Sequence, residues 1–230
     1  MRQLVVAGTD TAVGKTIVTA AVAALANASG RRVAVVKPVQ TGVAPDEPGD
    51  LHEVWRLSGV EDLHELARFA DPLAPATAAR RANRETPSVQ QLAEAIGRLA
   101  ARDLVLIEGA GGLLVHLDLE GGTLADLAAA LRAPTIVVAR AGLGTLNASA
   151  LTCEALRARG VDCLGVVIGA WPADPDLAAA CNLDDLPAYT GCPVLGRLPD
   201  GAGGLGRAEF LEAARAGLDP VLIGGQPIAR

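Results

Sequence analysis

A lysine and a threonine that close a glycine-bounded loop near the start of the chain could bind a nucleoside triphosphate. The loop spans residues 8–14 and is followed at once by Lys15 and Thr16. The backbone N–H groups of such a loop hold a polyphosphate, the lysine reaches its outer phosphates, and the hydroxyl binds magnesium. Five residues separate the two glycines, where the common pattern has four. The longer loop could therefore direct an extra side chain, Asp10 or Thr11, beyond the terminal phosphate.

The segments that flank this loop are the strand and the helix that a phosphate-binding loop requires. An apolar run at residues 4–7 predicts a buried strand before it, and apolar residues at helical spacing over 17–25 predict a helix after it. The alternative is a glycine-rich turn with a solvated lysine. Such a turn would require neither the strand before it nor the helix after it. We therefore predict that the chain binds a nucleoside triphosphate.

A second chemical feature is an acid at the tip of another predicted strand. The apolar run 104–107 is followed by Glu108 and then by the glycine-rich turn 109–112. In many nucleotide-binding proteins an acid at a strand end holds magnesium. The glycines would let backbone N–H groups approach a phosphate or a substrate. The pattern is weak alone and strong beside the phosphate-binding loop.

The chain contains only two lysines, Lys15 and Lys37, and both are expected at strand ends. Lys37 follows the apolar run 33–36, and this edge of an α/β sheet is where ligands bind. A compact ammonium suits a site that needs a point charge, unlike the flat guanidinium of arginine. Asp50 stands at a predicted helix start, where it could be either an ordinary helix cap or a metal ligand.

Two further turns could contribute to a site. Residues 141–147 form a glycine-rich junction between a strand and a helix, which is either a plain helix cap or an anion site. The loops 169–172 and 199–201 follow the last two predicted strands and are rich in glycine and proline. Their main chain could hold the base of a nucleotide.

The alternation of strands and helices predicts a single-domain doubly wound α/β fold of the P-loop NTPase type, with a mostly parallel sheet, over residues 1–230. Strands are expected at 4–7, 33–36, 104–107, 135–139, 164–168 and 194–198, and later helices at 88–101 and 124–131. Residues 43–49 are expected to form a mobile loop. Residues 61–84 have poor periodicity and receive no prediction.

Composition excludes several classes of protein. The net charge of −6 leaves no basic surface for nucleic acid or an anionic membrane. No apolar run approaches the ~18 residues of a membrane span, and no segment resembles a signal peptide, so a soluble cytoplasmic protein is expected. The histidines are expected on the surface or in loops: His52, His64 and His116. The cysteines are expected to be buried free thiols with no metal or disulfide role: Cys153, Cys163, Cys181 and Cys192.

Taken together, these motifs resemble those of the dethiobiotin synthetase family. The matching segments are 8–16 (GTDTAVGKT), 37–42 (KPVQTG), 108–112 (EGAGG) and 143–147 (LGTLN). They occur in the family's order within residues 1 to about 200, and the phosphate-binding loop with one additional residue is the family's own.

The resemblance implies a ligase of biotin biosynthesis that requires ATP and magnesium. The implied reaction joins CO2 to 7,8-diaminononanoate and closes a ureido ring, through a carbamate and a carbamic-phosphoric anhydride, to give dethiobiotin, ADP and phosphate. It also implies a homodimer with the substrate site at the subunit interface.

The resemblance further implies a role for each matching residue. Lys37 would stabilise the carbamate, with Lys15 and Thr11 completing the catalytic group. The implied magnesium ligands are Thr16, Asp50 and Glu108. The implied substrate contacts are Thr11, Lys37, Thr41 and, from the neighbouring subunit, Gly144, Thr145, Leu146 and Asn147. The implied nucleotide contacts are Ala12, Val13, Gly14, Lys15, Thr16, Ile17, Asp50, Glu108, Gly109, Ala110, Gly111, Gly169, Ala170, Pro199, Asp200 and Gly201.

One segment departs from the family pattern. Residues 169–172 (GAWP) stand where many relatives carry an asparagine-rich segment that reads adenine, so other nucleoside triphosphates remain alternatives to ATP.

Two other classes are alternatives to a dethiobiotin synthetase. One is a deviant P-loop partitioning or regulatory switch ATPase, which usually carries a second lysine in the loop; residues 8–13 contain none. The other is an amidotransferase-type synthetase acting on a larger cofactor precursor, which would need a glutaminase portion.

Overall fold

The computed structural model describes residues 2–224, in which a seven-stranded parallel sheet carries the site. The strands are β1 (Arg2–Gly8), β2 (Val33–Lys37), β3 (Gln40–Thr41), β4 (Leu63–Glu65), β5 (Arg68–Phe69), β6 (Leu104–Glu108), β7 (Thr135–Ala139), β8 (Cys163–Trp171) and β9 (Val194–Pro199). The order across the main sheet is β4-β2-β6-β1-β7-β8-β9, while β3 and β5 pair separately.

Helices cover both faces of the sheet. They are α1 (Lys15–Ala28), α2 (Asp50–Ser58), α3 (Pro75–Ala82), α4 (Val89–Gly97), α5 (Leu124–Leu131), α6 (Thr145–Arg157), α7 (Leu177–Thr190) and α8 (Arg207–Gly217). Helices α1, α2 and α8 contribute to the core on one face, and α4 to α7 to the core on the other. Among the helices of residues 2–224, none is both long and apolar enough to cross a membrane.

The two cores explain why the strands are continuous apolar runs. In β1, Leu4 and Val6 point into the core beneath α1, whereas Val5 and Ala7 point into the core beneath α5. Successive side chains of a strand face opposite sides, so a strand covered on both sides must be apolar at every position. All five residues of β2, β6 and β7 are buried for the same reason.

The predicted fold class is confirmed, and most of the predicted strands and helices lie within a few residues of their predicted bounds. Residues 61–84, which received no prediction, contain β4, β5 and α3. Helices α7 and α8 were not predicted; Pro187 lies inside α7, where proline normally ends a helix. The prediction that residues 1–230 form a single domain includes residues outside the described range, and it stays a prediction.

The cysteines differ from expectation, whereas the histidines do not. Cys181 is exposed, so its predicted burial is wrong, and Cys163 and Cys192 are only partly buried. Contact with Cys153 and burial raise the pKa of Cys163, and burial raises the pKa of Cys192 to about 11. His52 and His116 are exposed, and His64 is partly exposed beside Asp62.

Candidate functional site

The phosphate-binding loop connects the end of β1 to the start of α1. Gly14 precedes the helix with a φ of 94°, a left-handed conformation that glycine adopts without strain. No side chain caps α1, so no side chain occupies the N–H groups of its first turn. These amides and the positive end of the helix dipole form an anion site beside Lys15.

Lys15 lies across the loop rather than in solvent. Its ammonium donates a hydrogen bond of 2.9 Å to the backbone oxygen of Asp10, and a Cβ at Gly8 would come within 2.9 Å of the same ammonium. Burial, together with the positive charge of Lys37, lowers the pKa of Lys15 to about 8. A bound anion would therefore stabilise the charged form of Lys15.

Lys37 is buried in a cluster with two carboxylates. Because β2 and β6 are neighbouring parallel strands, their ends bring Lys37 and Glu108 to the same edge of the sheet. The ammonium lies 2.8 Å from Glu108 Oε1, 2.5 Å from Asp50 Oδ2 and 3.2 Å from the backbone oxygen of Gly109. These contacts use all three of its N–H donors.

The carboxylates keep Lys37 charged despite its burial. Lys37 is 3% exposed and Glu108 is fully buried. Burial alone lowers the pKa of a lysine, but the charges of Glu108 and Asp50 and their hydrogen bonds outweigh that effect and raise the pKa of Lys37. The two lysines of the chain thus have pKa values shifted in opposite directions.

Asp50 does not act as a helix cap. It is the first residue of α2, whose cap residue is Gly49, and its carboxylate pairs with Lys37. Its backbone N–H donates to the side-chain oxygen of Gln40 at 3.0 Å. Of the two possibilities that the sequence left open, the structure thus places Asp50 in the charged cluster.

The structure brings together the three predicted magnesium ligands. The Thr16 hydroxyl donates to Glu108 Oε1 at 2.8 Å, and the Asp50 carboxylate pairs with the same Lys37 ammonium as Glu108 does. Glu108 Oε2 is buried with no hydrogen-bond partner, which is costly unless a cation or donor satisfies it. Two carboxylates and a hydroxyl are the hard oxygen donors that Mg²⁺ prefers, so this donor set fits the ion.

Two adjoining cavities open over this cluster. The first has a volume of about 500 Å³, and its lining residues are Thr11, Ala12, Gly14, Lys15, Thr16, Ile17, Lys37, Gln40, Thr41, Asp50, Ala110 and Gly111. The second, of about 300 Å³, shares Thr11, Thr41, Ala110 and Gly111 and continues along residues 72–75 and Val115. Of these, Gln40, residues 72–75 and Val115 were not predicted as site residues; residues 72–75 lie in the segment that received no prediction.

A larger cavity of about 800 Å³ lies elsewhere, between β9, α7 and α8. Pro199 is the one predicted site residue that lines it. It contains neither a lysine nor a phosphate-binding loop, so the smaller cavities are the better candidate for chemistry.

The extra side chains of the longer loop point in different directions. Thr11 lines both cavities, whereas Asp10 forms an ion pair of 3.1 Å with Arg140 at the end of β7. Arg140 also donates to the backbone oxygen of Thr11 at 3.1 Å. Of the two candidates, Thr11 is therefore the one that faces the cavities, and Arg140 is a supporting residue that the sequence did not reveal.

The end of β8 touches the phosphate-binding loop; β8 extends to Trp171, so Gly169 and Ala170, which were predicted in a loop, lie within the strand. A Cβ at Gly169 would lie 2.0 Å from the backbone oxygen of Val13, and one at Gly14 would lie 2.9 Å from Gly169. The loop after β9 is tied to β8 because Asp200 N donates to Trp171 O at 2.8 Å. The predicted base contacts thus lie at the ends of β8 (Gly169 and Ala170) and β9 (Pro199) and in the turn after β9 (Asp200 and Gly201), and Gly169 touches the phosphate-binding loop.

Residues 144–147 line neither of the two cavities. They begin α6, where Gly144 has a φ of 88°, no side chain caps the helix, and Thr145 Oγ1 is buried without a partner. Asn182 of α7 donates to the backbone oxygens of Ala141 and Gly142 at 2.8 and 3.0 Å. Asn182 was missed because α7 itself was not predicted.

Comparisons with known proteins agree with this geometry. A family model described as an AAA domain matches residues 2–202. The ATP-dependent dethiobiotin synthetase BioD of Frankia casuarinae is 60% identical over 97% of this chain and 94% of its own. The enzyme of the same name from Saccharopolyspora erythraea is 61% identical over 97% of this chain and 98% of its own.

The chain belongs to the ATP-dependent dethiobiotin synthetase family. The resemblance inferred from the motifs is thereby confirmed. A solved structure of the septum site-determining protein MinD with Mg-ADP, from Pyrococcus horikoshii, is similar with a TM-score of 0.60 and 18% identity over 93% of this chain and 92% of that one. At that identity the similarity concerns the fold alone and gives no support to a switch ATPase.

Raising the pH from 7 to 9 is expected to weaken nucleotide binding by about tenfold. The free protein loses the proton of Lys15 near pH 8, whereas bound phosphates favour the charged form, so binding above pH 8 must take up a proton. Calorimetric titration in two buffers of different ionisation enthalpy measures both the affinity and the proton uptake. In a Lys15→Arg variant, whose cation keeps its charge at both pH values, the dependence should disappear. An equal affinity of the native protein at both pH values would contradict this role.

Proposed function

We propose that the protein is a dethiobiotin synthetase. It joins CO2 to 7,8-diaminononanoate and closes a ureido ring at the expense of ATP, with ADP and phosphate as the other products. The observation that carries the proposal is the buried Lys37 ammonium, held beside a phosphate-binding loop in a chain about 60% identical to synthetases of that name. It lies where the carbamate of the substrate and the γ-phosphate would meet.

The chemistry explains why the site needs two lysines and groups that position the substrates. A carbamate is a poor electrophile until one of its oxygens is phosphorylated to a mixed anhydride. The second amine then attacks the carbonyl carbon, phosphate leaves, and the five-membered ring closes. The protein must align two anions, the carbamate and the γ-phosphate, and offset their repulsion. Lys15 and Lys37 are suited to that purpose.

Lys37 can engage the substrate only by exchanging one of its present partners. Its three N–H groups are all used, by Glu108, Gly109 and Asp50. Glu108 is fully buried, whereas the Asp50 side chain is 35% exposed and borders the cavity. The contact with Asp50 is therefore the one that the carbamate replaces.

Magnesium would be held by Thr16, Asp50 and Glu108. When bound, it would neutralise part of the charge on the β- and γ-phosphates of the nucleotide. Glu108 Oε2, which has no partner, is the oxygen available for that purpose.

The diamine would occupy the place where the two cavities meet. Thr11 and Thr41 line both and offer hydroxyl groups to its amines. Beyond them the second cavity is lined by residues 72–75 and Val115, whose proline, leucine, alanine and valine side chains suit an aliphatic chain. This places the reactive end beside Lys37.

The substrate site is completed by a second copy of the chain in a homodimer. The diamine's distal carboxylate needs an anion site, and residues 144–147 offer one at the start of α6 but line neither cavity of their own subunit. Leu143, directly before them, is 89% exposed; Leu151, further along α6, is 58% exposed and lines a cavity with Leu114, which is 46% exposed. An apolar patch of this kind is typical of a subunit interface.

The nucleotide base is held by main-chain groups of residues 169–170 and 199–201. Because no asparagine stands there, the site admits triphosphates other than ATP. The enzyme acts in the cytoplasm on small molecules.

The decisive assay is phosphate release from ATP with magnesium, bicarbonate and 7,8-diaminononanoate, omitting one component at a time and recording the product mass. We expect release to require both diamine and bicarbonate and to yield dethiobiotin. Release that continues at the same rate without the diamine would overturn the proposal in favour of a switch ATPase.

Replacement of Lys37 by glutamine is expected to lower turnover by about 10²–10³-fold, because the developing charge loses its fixed ammonium. Nucleotide affinity should change little, since Lys37 lies outside the phosphate-binding loop. The same assay and a calorimetric titration separate the two effects, with Lys15→Gln as the matched variant that should lose nucleotide affinity. A comparable loss of nucleotide affinity in Lys37→Gln would exclude the assigned role.

Replacement of Leu151 by aspartate is expected to split the dimer, because a carboxylate would be buried in the apolar interface without a partner. Analytical ultracentrifugation should then show monomers, and the KM for the diamine should rise by at least about tenfold. Leu177→Asp, at an exposed leucine of α7 outside the patch, is the matched control. A native protein that sediments as a monomer at assay concentration would refute the shared site.

A further inference from the structure

Three of the four cysteines converge at the end of the sheet opposite to the nucleotide site. Cys153 lies in α6, Cys163 begins β8, and Cys192 lies just before β9. Their sulfur atoms all lie within 4.8 Å of one another, and those of Cys153 and Cys163 are 3.8 Å apart. Gly169 lies six positions after Cys163 in β8, so about 20 Å of strand lies between this cluster and the phosphate-binding loop.

The spacing of the sulfur atoms suits a shared metal ion. Zinc–sulfur bonds of about 2.3 Å at tetrahedral angles place two sulfur atoms about 3.8 Å apart. The distance between Cys153 and Cys163 has that value, and Cys192 needs a movement of no more than about 1 Å to match it. A disulfide would instead require the sulfur atoms to approach to about 2.05 Å.

We propose that Cys153, Cys163 and Cys192 bind one soft divalent cation, Zn²⁺, through their three sulfur atoms. Each thiol gives up its proton on binding, so up to three protons leave for each ion bound. Cys163 and Cys192 are partly exposed, which gives the ion a path to the buried Cys153 and leaves a fourth position to water. The site is independent of the proposed enzymatic function.

Charged and polar groups around the cluster support a metal–thiolate centre. Three thiolates and one divalent cation carry a net charge of −1, and the positive charge of Arg157, which acts to lower the pKa of Cys192, would offset it. Arg157 is itself fixed, because it donates to the backbone oxygen of Thr190 at 3.0 Å. The Thr190 hydroxyl accepts a hydrogen bond from the backbone N–H of Cys192 at 3.2 Å. The segment that presents the third sulfur is thus held in place before any ion binds.

A metal ion at this site would cross-link three segments of the fold. One ion would join α6, β8 and the segment between α7 and β9, adding to the packing and the hydrogen bonds that already hold them together. Because the unfolded chain lacks the assembled ligands, binding should stabilise the folded state in proportion to the logarithm of the free ion concentration.

The test uses the full chain, purified without chelator and without a histidine tag. Metal content is measured after dialysis, and cobalt is then titrated in as a spectroscopic probe, because a sulfur-to-cobalt charge-transfer band appears only where thiolates coordinate the ion. We expect one zinc ion per chain, a charge-transfer band that saturates at one equivalent of cobalt, and a higher melting temperature with zinc than without it.

Two variants separate this site from accidental binding. Cys192→Ser should weaken zinc binding by at least about 100-fold, since even residues that only orient a metal ligand cost about 10–100-fold when changed. Cys181→Ser, at the exposed cysteine of α7 outside the cluster, should bind zinc as the native chain does. Circular dichroism and nucleotide affinity show whether the Cys192 variant is folded; if it is not, the cobalt band of the native chain decides alone.

Three results would overturn the proposal. One is the absence of a charge-transfer band in the native chain. Another is zinc that binds equally well to the native chain and to folded Cys192→Ser, which would assign it to the carboxylates Asp50 and Glu108. The third is a disulfide between Cys153 and Cys163, detected by mass spectrometry of the freshly purified protein.

Discussion

The contact between Lys37 and Glu108 is the interaction on which the site depends. It joins the ends of β2 and β6 at 2.8 Å in a place where Glu108 has no access to solvent. Two charges are buried at a cost that only their mutual attraction and further hydrogen bonds offset, and removing one partner typically costs about 3–5 kcal/mol. Asp50 and Gly109 supply the remaining contacts of the ammonium. The cluster thus fixes the start of α2 and the turn after β6 relative to the sheet.

The charges of this cluster also set what the site can accept. Lys15 and Lys37 balance Asp50 and Glu108, so the formal charges of these four groups sum to zero. A triphosphate adds several negative charges to that balance. The two lysines differ in their partners. Lys37 forms ion pairs with both carboxylates, which raises its pKa, whereas Lys15 has no ion pair among the described residues and its pKa is lowered. An incoming phosphate therefore meets Lys15 first, and a divalent cation would offset part of the added negative charge.

Much of the fold follows from local sequence, because a strand buried on both faces must be a continuous apolar run. The strands β1, β2, β6 and β7 were predicted on that basis, and the placement of Lys37 and Glu108 followed from the rule that parallel strands end at one edge. Helix α7 was missed because Pro187 interrupts its pattern, and with it Asn182 was missed. Contacts between distant segments have no local signature. Arg140 beside Asp10, residues 72–75 in the second cavity and the three converging cysteines all became visible only once the chain was folded.

The backbone contact between Gly169 and the phosphate-binding loop limits how the base specificity of this chain can be re-engineered. A side chain of any size at residue 169 would meet the backbone oxygen of Val13, so no purine-reading group can be installed there without displacing the loop that holds the phosphates. Ala170 is exposed and faces no such obstacle. To make a synthetase that distinguishes adenine from other bases, one should therefore vary Ala170 and the residues that follow it, and leave residue 169 as glycine.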